Sequence, residues 1–129
     1  MNPRLSRAYV TSGVQSSTPG QLIVMLYDGL LRFANEAVVN MQEGKSAAAP
    51  IDRCIRIITE LNLSLKFEVA PQLCSQLANL YEYYVVEFSK AMHQNQPQIV
   101  EGLIPLITTL RDAWAEAERQ LASTPPPQK

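Results

Sequence analysis

Ser17-Thr-Pro-Gly-Gln-Leu-Ile-Val-Met-Leu-Tyr-Asp-Gly-Leu-Leu-Arg-Phe-Ala-Asn-Glu-Ala-Val-Val-Asn-Met41 is the stretch that decides how this chain folds. Its start is written in the residues. Thr18 is placed to cap a helix, Pro19 fits the first helical position, and Gln21 stands three residues after the cap, the spacing of a capping box. Behind that signal Leu22, Ile23, Leu26, Leu30, Phe33, Ala37 and Met41 recur at helical spacing and draw one broad apolar stripe. A narrower line, Val24, Leu31 and Val38, repeats every seven residues on a different side. A helix apolar on two sides needs two things to pack against, and the second line is read here as surplus to a single core.

Working outward, the first helix runs to about Gly44, a suitable C-terminal glycine, and a short Lys-Ser-Ala-Ala-Ala-Pro linker follows. A second pattern sets Ile51, Cys54, Ile55, Ile58, Leu61 and Leu65 on one face, with Asp52, Arg53, Arg56 and Glu60 opposite. Asn62 projects from the apolar side, and an amide there needs partners. Pro71 opens a third helix whose Leu73, Leu77, Leu80, Tyr81, Tyr84, Phe88 and Ala91 share a face, while Tyr83 and Val86 point away from it. Asn95-Gln96-Pro97-Gln98 is another helix start. The fourth helix lines up Ile99, Leu103, Leu106, Ile107, Leu110, Trp114, Ala117 and Leu121, with Pro105 predicting a kink or break between Gly102 and Leu106.

Four amphipathic segments joined by short connections, with no competing strand pattern, predict an all-α fold: an antiparallel up-and-down four-helix bundle. The bundle is expected over residues 17–122. Residues 1–16 lack helical periodicity and are read as an extended, flexible arm, in which Tyr9 and Val14 are apolar groups able to lie on the domain. Residues 123–129 carry three prolines and are read as a disordered tail.

At 129 residues the chain is long enough for one domain with a real core. A formal net charge of -1 supplies no basic field for nucleic acid or anionic lipid, and no apolar run approaches the roughly 18 residues of a membrane span. Arg4 and Arg7 are not followed by the apolar core of a secretory signal, so the chain is read as cytoplasmic, with Cys54 and Cys74 as buried free thiols. Catalytic patterns are missing. The one histidine, His93, has Lys90 three residues before it rather than the glutamate of a di-iron bundle. Neither cysteine belongs to a Cys-x-x-Cys pair, and no glycine-rich phosphate loop exists. The arginines alternate with acids as on a solvated face. The expectation is a protein that is not an enzyme and takes no cofactor or metal.

These residues also resemble a known family. Ser17 to Gly29 is similar to the opening of the first helix in the flagellar secretion chaperones. Ala8-Tyr9 with Val14 resembles that family's N-terminal arm, Glu60 to Leu65 the end of its second helix, Leu80 to Tyr83 its third, and Leu110 to Trp114 its last. The similarity spans about residues 8–118, departing at Pro105 and in the proline-rich end. The resemblance implies a bundle around which the disordered C-terminal segment of flagellin wraps, kept from polymerising before export through the flagellar type III apparatus. It also implies an N-terminal arm that covers part of the binding surface until the client displaces it.

The partner-binding positions expected on these grounds are Tyr9 and Val14 in the arm, Val24, Asp28, Leu31 and Val38 on the first helix, Ile58, Asn62 and Leu65 on the second, and Tyr83 and Val86 on the third. Asp28 and Asn62 are the expected polar anchors for a client backbone. Export-gate components or a regulator are further expected partners, and the chain itself is expected to be a monomer or weak homodimer. The alternatives are a structural module whose second stripe is buried in a dimer, and a chaperone of a different export substrate or regulator.

Overall fold

The capping box at Thr18 forms as its residues demand. In the computed structural model, which describes residues 17–123, the Gln21 N–H donates to Thr18 Oγ1 at 3.1 Å and the Thr18 N–H donates to Gln21 Oε1 at 2.9 Å. Helix α1 then runs Pro19–Gln42, followed by α2 (Ala48–Leu63), α3 (Pro71–Gln94) and α4 (Pro97–Ser123). No strand occurs among the described residues. The expected arm, with Tyr9 and Val14, lies outside the described residues, as does all of the expected tail beyond Ser123.

Two residues in the left-handed region make the tight connections. Gly44, at φ 72°, ends α1, and its N–H donates to the Met41 carbonyl at 3.2 Å. Asn95, at φ 52°, ends α3, and the next N–H, on Gln96, returns to the Ala91 carbonyl at 3.0 Å. That single turn residue lets α4 begin after a connection of only residues 95–96.

Each helix packs against the next and α4 closes on α1, so the four form a ring; among the described residues no diagonal pair meets along its backbone. Polar ties show that α1 and α4 are antiparallel. Thr18 at the start of α1 meets Glu118 near the end of α4, Asp28 meets Arg111, and Gln42 at the end of α1 meets Glu101 near the start of α4. The core lies inside the ring, where Leu26, Leu30, Ala37, Ile51, Cys54, Ile58, Leu61, Phe88, Ala91, Val100 and Ile107 are all buried. Across it the Tyr27 and Tyr81 hydroxyls, on diagonal helices, share a hydrogen bond of 2.6 Å. Cys54 and Cys74 are both free and buried.

Four sequence expectations need correction. Val38 belongs to the core at 8 % exposed, and Leu31 packs against it half-buried. The line Val24, Leu31, Val38 falls on the same side of α1 as Asp28 and Gln42, which bond to α4, so it seams α1 to α4. Asn62, expected on the apolar side, is exposed. Glu60, assigned to the solvent face, is 3 % exposed, because it follows Ile57 by three positions and so continues that residue's buried ridge. Finally, of the kink or break expected at Pro105, the break does not occur, and α4 is continuous from Pro97 to Ser123. A proline inside a helix costs about 3 kcal/mol, and the flanking Leu103 and Ile107, both buried, hold the helix through it.

Candidate functional site

The apolar line of α4 is covered over only half its length. Val100, Leu103 and Ile107 are buried, but beyond Ile107 no described residue of α4 is. The same line continues through Leu110 and Trp114, which are half-buried, to Ala117 and Leu121, which are exposed. Leu106, one position before Ile107, is 48 % exposed. Antiparallel packing sets this second half of α4 beside the first turns of α3, where Leu73 is exposed and Leu80 half-buried. The open part of the α4 line and Leu73 therefore lie toward the end of the bundle that carries the α2–α3 connection.

That end is apolar in its own right. Leu63, Phe67, Val69, Leu73 and Leu121 are each 45–74 % exposed, and they make up five of the nine large apolar side chains the described surface exposes. Scattered exposed leucines are ordinary, whereas gathering of this kind is a feature that binding surfaces share.

A concavity lies between α2 and α3. It is a groove of about 360 Å³ floored by Ile58, Tyr81 and Val85, with Asn62, Asn79 and Glu82 at its rim. Here Ile58 and Asn62 come together; Ile58 presents its flank to the groove while being otherwise buried. Leu65 is half-buried just beyond the end of α2. Tyr83 and Val86 are half exposed on the outer side of α3, with Val86 next to the groove-lining Val85. Asp28 is already engaged: its Oδ1 accepts from Arg111 Nε at 2.7 Å, which ties α1 to α4. Glu118, nearer the end of α4, lies over Gly20, where any Cβ would collide with its carboxylate, and accepts from Thr18 Oγ1 at 3.0 Å. An acid at that spot also meets the positive end of the α1 dipole.

The titratable groups inside the bundle are structural. Burial pushes the Cys54 thiol up to about 12, which keeps it protonated and unreactive at neutral pH. Burial likewise raises Tyr27 and Tyr81, and pushes Tyr84 up to about 12. The Tyr84 hydroxyl is buried with no hydrogen-bond partner. No cluster of three metal-ligating side chains exists among the described residues, and no described helix is long and apolar enough to cross a membrane.

Helical spacing puts Leu73, Leu106 and Leu121 on core faces, and the structure leaves them open because nothing packs over them. Leu63, Phe67 and Val69 belong to none of the faces drawn from the sequence. Their signal was available: connections are ordinarily polar, and alternate residues from Leu63 to Val69 are apolar.

Exposed apolar side chains gathered at one end of a helical bundle, beside a groove between two of its helices, are features of proteins that bind another chain. Its relatives agree. The flagellar protein FliS family matches residues 1–121, so the chain belongs to the FliS family of flagellar secretion chaperones, which are not enzymes. It is 34 % identical over 113 residues to the flagellar secretion chaperone FliS of Escherichia coli strain K12, covering 84 % of this chain and 82 % of that one. The Salmonella typhimurium protein of the same name is 31 % identical over 114 residues (83 % and 82 %), and the Bacillus subtilis one 29 % over 113 (85 % and 83 %).

Proposed function

We propose that this chain is a cytoplasmic export chaperone that holds the disordered C-terminal segment of flagellin, keeps it from assembling early, and hands it to the flagellar type III export apparatus. The observation that carries this reading is the uncovered apolar line of α4. A client helix docks by laying residues one turn apart against such a line, and Leu110, Trp114, Ala117 and Leu121 offer the matching ladder.

Magnitudes bear on the client's path. Covering the five half-open side chains at the bundle end contributes about 1 kcal/mol each, or about 5 kcal/mol together. Ordering a disordered client costs about 2–5 kcal/mol, so that end alone leaves too little for micromolar affinity, which needs about -8 kcal/mol. The client must cover more. The rest of the open α4 line and the α2–α3 groove, with Asn62 and Asn79 on its rim for a client backbone, supply the remaining surface. Tyr83 and Val86 flank that groove on its outer side.

Calorimetric titration with a peptide of flagellin's C-terminal segment tests the proposal. A dissociation constant of about 10 µM or tighter, with a negative heat-capacity change, is expected. A folded chain that gives no binding at about 50 µM peptide contradicts it.

A further inference from the structure

The described arginines fall into two groups. Arg56 holds Asp52, Arg111 holds Asp28 and Asp112, and Arg119 holds Glu116, as residues of a solvated face that alternates with acids should. Arg32 on α1 and Arg53 on α2 hold no carboxylate among the described residues. Both lie instead against one ring, that of Phe33, their guanidinium carbons 4.9 and 5.3 Å from its centre. We propose that this pair, with Phe33 and Val39, is a docking surface on the α1–α2 face for an acidic segment of a second protein chain.

Phe33 is half-buried and packs against the core, so it is a fixed platform for both side chains. The two charges can stand no farther apart than those two distances laid end to end, about one Debye length at 0.1 M salt. They repel each other, and a carboxylate brought between them relieves both at once. A guanidinium over a ring keeps its N–H edge free for a bidentate carboxylate, and the shared ring limits the freedom lost when that bond forms. Val39, half exposed, stands about two turns after Arg32 on the same side of α1 and adds an apolar contact. The positive spot is narrow. Glu36, one turn beyond Arg32, is exposed and bonds neither arginine, and Asp52 is taken by Arg56. A phosphate backbone or an anionic membrane would meet these acids as well, whereas one or two carboxylates on a peptide fit between them. None of these residues lines the α2–α3 groove or belongs to α4, so an occupant here leaves the proposed client surface free.

The full chain titrated by calorimetry with a short synthetic peptide of glutamates and leucines tests this, beside a twin carrying Gln for every Glu. The acidic peptide should bind at about 100 µM or tighter in about 50 mM salt, and about tenfold more weakly in about 300 mM. The twin should bind at least about tenfold more weakly, and so should the acidic peptide to an Arg32→Gln, Arg53→Gln protein; both arginines are exposed, so that protein keeps its helical signal. Arg56→Gln, whose guanidinium is already held by Asp52, should change binding less than about twofold. An acidic peptide that does not bind at about 1 mM, or binds the double variant equally well, overturns the proposal. So does duplex DNA or a phosphatidylserine vesicle held more tightly than the peptide through the same two arginines.

Discussion

Replacing Tyr84 by phenylalanine should stabilise this protein, while the same change at Tyr27 should destabilise it. All three core tyrosines are buried, but their hydroxyls differ in circumstance. Those of Tyr27 and Tyr81 share a bond of 2.6 Å, and that of Tyr84, on a residue 1 % exposed, has no partner. Tyr27→Phe removes the bond and strands the Tyr81 hydroxyl, at a cost of about 1–3 kcal/mol. Tyr84→Phe removes only a group that gave up water for nothing, and should recover about 1 kcal/mol. Tyr27→Phe combined with Tyr81→Phe should cost less than the sum of the two single changes by about 1–2 kcal/mol, because no hydroxyl of the pair is then stranded. Urea unfolding at constant m-value measures each difference, and 1 kcal/mol corresponds to about 4 °C in midpoint temperature for a chain of this size. A Tyr84→Phe protein less stable than the natural one refutes the reasoning, for it would mean that the Tyr84 hydroxyl is satisfied.

Leu106→Glu and Tyr83→Glu alter side chains about half exposed, so each should leave the helical circular dichroism intact and weaken peptide binding, by about tenfold for a client that covers the position. Leu77→Asp places an unpaired charge at a core position 7 % exposed, and the helical signal should be lost at room temperature, since the cost rivals the whole stability of a small domain. Alkaline pH should also destabilise the fold. Burial raises Cys54 from 9.0 to about 12 and Tyr84 from 10.0 to about 12, so the folded state holds these protons more tightly than the unfolded chain does. The contribution is whole below the unfolded values and falls as pH climbs from 9.0 toward about 12; a urea midpoint that stays level across this window contradicts the burial.

The helices were legible because their signals are local. Thr18 with Gln21, and prolines at positions 19, 71 and 97, start three of them where the structure does, and the 3.6-residue period marks the core faces. What is covered was not legible. Leu103 and Leu121 hold equivalent places on one line of α4, and only the presence of a neighbour makes the first core and the second surface. The same gap acts in reverse at Val38, whose line is spare by spacing alone and is covered once α4 packs on α1. Glu60 went astray by a small angle, since the edge of an apolar face cannot be drawn from spacing alone. At Pro105 local propensity favoured a break, and the buried side chains on both sides overruled it. Asp28 looked available because its partner, Arg111, is 83 positions away in the chain.

Methyl-detected NMR of the full chain during titration with a flagellin C-terminal peptide tests most directly whether a guest chain covers the open apolar line. The methyl signals of Leu73, Leu106 and Leu121 should shift together as the peptide is added, while that of Val39, equally exposed on α1, stays in place. Peptide that binds and leaves those three leucines unmoved would contradict the account.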